Sequence, residues 1–250
     1  MRGVVALLLL GAALFAQTAR LLPPGVYADN RAIVDAIARK GGGLATQLEL
    51  LERAGVLREA FEAPGGGVIR LRAAERPLLF LHLTDGALQS AGLYTSHMAD
   101  LAYGSSGLIQ TYRFRPQDDP RLSKLVDYFE RHGAQVRRMV FEGGWVVDLD
   151  LSAARPDARR LEGSATLQVP KDGVWLDVCG AAQVRLASVG GGWYPKIFIY
   201  DRDLEPLDRH IAESAVRTIT LSLPNGACYI KIADRFTHKN LKRGLKAAVR

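Results

Sequence analysis

Hydrophobic and polar residues alternate most clearly in the last third of the chain. In residues 217–223 every second side chain is apolar, which is the period of a half-buried strand. Other short alternating segments run through residues 164–234, separated by turn residues such as those at 224–226. The pattern predicts an all-β sandwich over residues 164–234, with 217–223 and 228–233 paired as a hairpin.

The preceding region combines helical and strand patterns. Apolar side chains three or four positions apart predict amphipathic helices at residues 31–40, 44–53 and 120–132. Strands are predicted at residues 68–72, 78–83, 108–115, 135–141 and 145–151.

The segment 78–83 is almost wholly apolar, which favours a strand covered on both faces. The small residues after it favour a partly helical segment that ends near Ala102. These patterns together predict two modules, an N-terminal α+β domain followed by the sandwich. We place the α+β domain at residues 20–152 and a linker at 153–163.

The first 19 residues have the pattern of a secretory signal peptide. One arginine precedes an apolar run that ends at Phe15, and small residues follow. Ala16, Thr18 and Ala19 are each candidates for the last residue before cleavage, and no cysteine follows the run to carry a bacterial lipid anchor. An uncleaved anchor helix is the alternative, although the run is short for a membrane span. The pattern predicts a secreted or periplasmic protein.

The chain has two cysteines, Cys179 and Cys228, and both lie in the predicted sandwich. In an exported protein, an even number of cysteines in one module favours a disulfide over a metal site. The alternation of residues 174–179 places Cys179 on the less apolar face of its strand. Cys179 stays on that face unless a bulge intervenes near Gly180. We predict that the two cysteines form a disulfide.

The formal net charge of +7 is, taken alone, compatible with nucleic-acid binding. Six cations without any acidic residue lie in residues 235–250, and Arg2 lies in the leader, so the rest of the chain is neutral and a nucleic-acid partner is not supported. The tail 235–250 predicts either a basic amphipathic helix that contacts an anionic partner or surface, or a frayed, solvated terminus. Its candidate contact residues are Lys239, Lys242, Arg243 and Lys246.

Two His-x-x-Asp pairs, His82 with Asp85 and His97 with Asp100, form the sharpest chemical pattern in the sequence. Two imidazoles and two carboxylates are suitable ligands for zinc or another divalent ion. If the second pair is helical, His97 and Asp100 share a face. The alternative is structural: the aspartates begin helices, and the histidines are partly buried and hydrogen-bonded.

Two further groups in the predicted sandwich are candidate binding sites. Asp201, Asp203 and Glu205 alternate after a strand and offer oxygen ligands to calcium, although an exposed acidic turn has the same pattern. Trp193 and Tyr194 follow three consecutive glycines. They form either a stacking platform for sugar or peptide or an anchor that holds their loop to the edge of the sandwich.

Three segments of the predicted sandwich carry a family resemblance. A strand with an acidic turn at 196–205, the strand at 218–223 and the closing segment 224–232 resemble the pre-peptidase C-terminal domain, a small β-sandwich found at the end of many secreted bacterial peptidases. The sequence departs from that family in lacking a glycine after Asp203. The resemblance implies a binding or accessory module rather than a catalytic one.

These patterns predict an exported, non-catalytic binding or structural component of the cell envelope or of an extracellular assembly. The expected partner is an envelope or extracellular protein or a polysaccharide, and self-association is compatible with the sequence. No residue pattern requires a cofactor. The alternative is a secreted hydrolase, with or without a metal, that uses His82, Asp85, His97 and Asp100.

Overall fold

The computed structural model describes residues 17–104 and 107–250. The predicted signal peptide lies outside the described residues except for 17–19. The chain divides into two compact units, with the boundary between Ala154 and Arg155. The first unit combines helices with one mixed sheet, and the second consists mainly of antiparallel strands. The predicted order of an α+β region followed by a β region is confirmed.

The first unit contains the predicted helices at 31–40 and 44–53. The strands predicted at 135–141 and 145–151 are also present, and they pair as an antiparallel hairpin. Residues 17–20 are also helical, and no helix of the described chain has the length and apolar character needed to cross a membrane. The elements of this unit are α1 (Pro24–Asp29), α2 (Arg31–Lys40), α3 (Leu44–Arg53), α4 (Val56–Glu62), β1 (Val68–Ala73), α5 (Pro77–Ser90), β2 (His97–Gly104), β3 (Gly107–Arg113), α6 (Leu122–Arg131), β4 (Gln135–Phe141) and β5 (Trp145–Asp150).

The sheet of the first unit has the strand order β2-β3-β1-β5-β4, in which β1 and β5 are parallel and the other neighbours antiparallel. Ile69 of β1 and Trp145 of β5 are paired on a buried face, where Trp145 contacts Phe61 of α4 at 5.0 Å between ring centroids. The opposite face carries charged side chains, among them Asp148, whose Oδ1 lies 3.9 Å from Nη1 of Arg72. We call these the inner and outer faces of the sheet.

The prediction of a strand at 78–83 is wrong, because this segment is the first half of helix α5. Pro77 occupies the first turn, where its missing N–H costs no helical hydrogen bond. Leu79, Phe80 and Leu83 are buried at helical spacing. An unbroken apolar run is compatible with either a buried strand or a buried helix, and periodicity alone does not separate them.

The second unit is built from two sheets around one core. Its strands are β6 (Arg159–Arg160), β7 (Ser164–Leu167), β8 (Val174–Asp177), β9 (Gln183–Ser188), β10 (Pro195–Tyr200), β11 (Pro206–Ile211), β12 (Thr218–Ser222), β13 (Tyr229–Asp234) and β14 (Leu245–Val249). They form a five-strand sheet of order β11-β10-β13-β8-β6 and a four-strand sheet of order β12-β9-β14-β7. Ile197 and Ile230 of the five-strand sheet and Val184 and Leu245 of the four-strand sheet belong to the same buried cluster.

The prediction that residues 217–223 and 228–233 form a hairpin is wrong. Strand β12 pairs with β9, whereas β13 pairs with β10 and β8. The turn at 224–226 therefore carries the chain from the four-strand sheet to the five-strand sheet. A turn between two alternating segments is necessary for a hairpin but does not establish that the segments pair.

The predictions for the tail are also wrong, since it is neither a basic helix nor a frayed terminus. Strand β14 pairs with β7 on one side and β9 on the other, inside the four-strand sheet. Leu245 and Ala247 are buried and Lys246 is exposed, which is the alternation of a strand. The second unit therefore includes residues 235–250.

The predicted Cys179–Cys228 disulfide is confirmed. Strand β8 ends at Asp177, whose side chain accepts a hydrogen bond from the Cys179 N–H at 3.0 Å. Gly180 follows with a φ of 84°, a left-handed conformation that favours glycine. Cys179 lies beyond the end of the strand, so it does not follow the alternation of inward and outward side chains of β8. The disulfide therefore forms without a bulge.

Candidate functional site

Strand β2 lies at the edge of the first unit's sheet, and all of its residues are exposed. Its neighbour β3 is buried at Leu108 and Gln110, so the layer that covers the inner face ends before β2. One side of β2 is paired with β3. In the described part of the chain no strand pairs with its other side, where backbone N–H and C=O groups are open to a partner.

Large apolar side chains of β2 continue the inner face beyond the covered strands. Met98, Leu101 and Tyr103 have exposed fractions of 48%, 52% and 74%, and Tyr94, just before the strand, is 77% exposed. We call these four residues the β2 strip. Directly paired residues share a face of a sheet, and the three strand residues pair with Tyr112, Gln110 and Leu108 of β3.

A bulge in β2 places Met98 and Leu101 of the strip on the same face of the sheet. Met98 and Leu101 are three positions apart and would point to opposite faces of a regular strand. The pairing of β2 with β3 shifts register between Met98 and Asp100, which inserts Ala99 as an extra residue. Met98 and Leu101 therefore point to the same face.

Close packing holds the β2–β3 hairpin against the end of β1. Gly104 pairs with Gly107, which has a φ of 94°. A Cβ atom at Gly107 would lie 2.1 Å from the carbonyl oxygen of Ala73. Glycine is required here because any side chain would collide with the backbone at the end of β1.

The four residues of the predicted metal or catalytic site lie on secondary-structure elements other than those expected from the sequence. His82 and Asp85 lie on helix α5, not at the end of a buried strand. His97 and Asp100 lie on strand β2, not on a helix. Residues three apart share a face on a helix. Along a strand they point to opposite faces unless a bulge intervenes, as it does here at Ala99.

The two pairs also belong to opposite faces of the sheet. Tyr112 lies on the inner face, where burial raises the pKa of its hydroxyl and the nearby Asp85 carboxylate raises it further. His97 and Asp100 pair with Arg113 and Thr111 on the outer face. Among residues 17–104 and 107–250, no group of three or more His, Cys, Asp and Glu side chains is arranged to hold a metal ion.

The acidic turn at 201–205 is built around one carboxylate. Asp201 Oδ1 accepts hydrogen bonds from the backbone N–H groups of Asp203 at 2.8 Å and Glu205 at 2.9 Å. This arrangement closes the turn between β10 and β11, in which Leu204 has a φ of 65°. Within the described chain these three acids do not belong to a group of His, Cys, Asp and Glu side chains arranged to hold a metal ion. The calcium site remains a prediction.

Trp193 is fully buried in the core of the second unit, so it does not form an exposed stacking platform. Its backbone pairs with that of Val216. Tyr194 packs against Phe236 with ring centroids 4.8 Å apart, and its N–H donates to Asp234 Oδ2 at 2.9 Å. The two aromatic residues therefore anchor their loop.

Asp234 also organises the segment that carries the predicted tail contacts. Partial burial raises the pKa of Asp234, but hydrogen bonds from the backbone N–H groups of Thr237, Tyr194 and Phe236 and from the Asn240 amide outweigh it and lower the pKa below its ordinary value. The four basic residues are exposed but do not share one helical face. Lys239 lies on a short 3-10 helix, Lys242 and Arg243 lie in the turn that follows it, and Lys246 lies on strand β14.

Sequence reasoning missed β2 and with it the strip. The helix-like spacing of Met98 and Leu101 concealed a strand whose bulge the sequence does not mark. The signal that could have found it is the pair of glycines, Gly104 and Gly107, placed directly before the predicted strand at 108–115. Short glycine-containing connections between two apolar segments indicate hairpins.

No protein-family model and no curated protein matches this sequence. Among solved structures, the chain is similar to the secreted serine protease VesC from Vibrio cholerae, with 7% identity and a TM-score of 0.22 over 62% of this chain and 39% of the protease. It is also similar to the C-terminal domain of EclA, a sugar-binding protein, with 14% identity and a TM-score of 0.12 over 38% of this chain and 69% of that domain. At these TM-scores neither similarity bears on this chain's fold or function.

Proposed function

We propose that this chain is an exported, non-catalytic component of a cell-envelope or extracellular assembly, and that it binds a protein partner along β2. The exposure of every residue of this edge strand, combined with the β2 strip, carries the proposal. Soluble proteins usually protect sheet edges, and exposed apolar patches mark interaction sites. Tyrosine and methionine, which supply three of the four strip residues, are enriched at protein interfaces.

The partner that this edge favours is an extended protein segment that adds a strand to the sheet. Main-chain hydrogen bonds to the open side of β2 would supply affinity. Alternate side chains of the incoming strand would pack against Leu101 and Tyr103 on the inner face. The others would meet His97 and Asp100 on the outer face, so the matching segment alternates apolar and polar residues.

Export is supported by the leader pattern and by the disulfide. Disulfides form and persist in oxidising compartments and are rare in the cytosol. The proposed localisation is secreted or periplasmic. This places the β2 edge where it can meet envelope or extracellular proteins.

The finer organisation that we propose is an α+β module joined to a β-sandwich of the pre-peptidase C-terminal type. The shared core of the two sheets in the second unit supports the sandwich. The boundary between Ala154 and Arg155 supports a division into modules close to the linker expected at 153–163.

We expect the leader to be cleaved after Ala16, so that Gln17 begins the mature protein. Thr18 is buried, and its hydroxyl donates a hydrogen bond to Gln47 Oε1 at 2.9 Å. Cleavage after Thr18 or Ala19 would remove this contact and leave the buried Gln47 oxygen unsatisfied. The intact mass of the exported protein checks the prediction, and a mature chain that begins at Ala19 or Arg20 would contradict it.

Leu101→Lys is expected to weaken binding through β2 strongly, because a charged side chain in the strip would lose its hydration against the apolar side chains of the incoming strand. The loss should be about thirtyfold or more in affinity, the size of an interface hot spot. The matched control is Ile33→Lys, since Ile33 is an apolar residue of α2 in the same unit and is 43% exposed.

The measurement is photo-cross-linking in cells that export the protein, with the cross-linking amino acid at Tyr103. The expected result is one reproducible adduct, identified by mass spectrometry as a defined partner or a second copy of this chain. The adduct should disappear with Leu101→Lys and persist with Ile33→Lys. Purified partner and chain then give the affinity of each variant. No adduct, or equal loss with both variants, would refute binding at this edge.

A further inference from the structure

The outer face of the four-strand sheet in the second unit is basic and rich in hydroxyl groups. Arg185 of β9 and Lys246 of β14 are exposed there, together with Thr220 of β12 and Thr166 of β7. These strands contain no acidic and no aromatic residue. This face is separate from the β2 strip, which belongs to the first unit.

Three cations are clustered by the register of the central strands. Arg185 pairs with Ala248, and Lys246 and Arg250 lie two residues to either side of Ala248. Such diagonal neighbours are about 7–8 Å apart in a sheet. The backbones of Arg250 and Gln183 exchange two hydrogen bonds of 3.1 Å, which extends the register to Arg250.

The cluster is not neutralised by the protein itself. In the described residues of the second unit, no acidic side chain forms an ion pair with Arg185, Lys246 or Arg250. Uncompensated, closely spaced cations repel one another and attract an anion. The face therefore has charge complementarity to a ligand that brings several negative groups.

A cleft at the centre of this cluster has a volume of about 200 Å³ and is lined by Gln183, Arg185, Thr220, Ala248 and Arg250. The small side chain of Ala248, directly opposite Arg185, leaves this space open. Pockets for whole small molecules are larger, about 300–1,000 Å³. The cleft suits one charged group of a longer ligand that extends over the sheet.

We propose that this face binds an acidic polysaccharide. Arg185 and Arg250 are placed to hold a sugar carboxylate, because guanidinium groups bind carboxylates through two parallel hydrogen bonds. Thr220 and Gln183 offer hydrogen bonds to sugar hydroxyls, and Lys246 attracts the next charged group. A nucleic acid is disfavoured because none of the four strands carries an aromatic side chain for base stacking. A membrane is disfavoured because the outward positions of the four strands carry no large apolar side chain.

The test uses the purified, disulfide-intact chain and two polysaccharide probes, polygalacturonate and neutral dextran, in affinity electrophoresis. Polygalacturonate should retard the protein, retardation should weaken with added salt, and dextran should have no effect. In Arg185→Gln/Arg250→Gln the affinity for polygalacturonate should fall about a hundredfold, since two charge-assisted contacts are lost. The control Lys196→Gln/Arg209→Gln makes the same charge change at exposed positions of the five-strand sheet and should remain within about twofold of wild type.

Circular dichroism and the urea midpoint establish that each variant is folded. The proposal is overturned if polygalacturonate does not retard the wild-type protein, or if the two double variants lose affinity equally, which would indicate net charge rather than this face. It is also overturned if a single-stranded oligonucleotide or phosphatidylglycerol vesicles bind the face more tightly at the same ionic strength. Loss of polygalacturonate binding in Arg185→Gln/Arg250→Gln alone supports it, and cross-linking at Tyr103 is expected to be unaffected by that variant.

Discussion

A variant without the Cys179–Cys228 disulfide is expected to lose about 4 kcal/mol of unfolding free energy in the second unit, from the loop-closure entropy of a loop of this length. The two cysteines are 49 positions apart in the sequence. The bridge links the turn after β8 to the start of β13 and thereby restricts the unfolded chain far more than the folded one. Since a domain is typically stable by only about 5–15 kcal/mol, the second unit should lose a large part of its stability.

The measurement is urea unfolding of Cys179→Ser/Cys228→Ala beside the wild type, with hydrogen–deuterium exchange read peptide by peptide to separate the two units. Loss of protection should be confined to residues 155–250. The wild type in dithiothreitol should resemble the variant, whereas dithiothreitol should leave the variant unchanged. An identical urea midpoint for variant and oxidised wild type would show that the bridge contributes nothing.

The sequence predicts those elements of the fold in which local pattern and tertiary position agree. Residues 31–40 have an apolar stripe and form a helix that buries Val34, Ile37 and Ala38. In β12 the alternation of residues 218–222 matches the alternation of exposed and partly buried side chains. The prediction for residues 78–83 is wrong because a helix covered on most sides has no polar face. Without polar residues at regular spacing, the sequence does not show the helical period. The prediction for β14 is wrong because the basic residues of this segment suggested a charged helix or a frayed terminus. Its alternating burial depends on pairing with β7 and β9, which are distant in sequence.

The candidate sites were harder to predict than the fold, because they depend on which face of an element is left uncovered. Trp193 follows a glycine-rich loop, yet it is buried because the backbone of that loop pairs with Val216. Conversely, Leu101 belongs to a strand whose inner face would be buried if the helical layer extended one strand further. The cluster around Arg185 needs the pairing of β9 with β14, which brings together residues more than 60 positions apart.

Trp145→Ala is expected to destabilise the first unit by about 3–5 kcal/mol, the usual cost of truncating a buried aromatic residue. Trp145 is fully buried and contacts Phe61 and Phe141 at 5.0 and 5.1 Å between ring centroids. Its indole Nε1–H also donates to the carbonyl oxygen of Leu21 at 3.1 Å. The side chain thus joins the start of the described chain, α4 and the central sheet.

Two further variants separate these contributions. Trp145→Phe keeps a ring in the core but leaves the buried Leu21 carbonyl without its donor, so we expect a smaller loss of about 1–3 kcal/mol. Tyr103→Ala removes an exposed aromatic residue of the same sheet and should change the unfolding free energy by less than about 0.5 kcal/mol. Urea unfolding checks all three. If Tyr103→Ala destabilised the unit as much as Trp145→Ala, the β2 strip would be part of the core rather than a surface available to a partner.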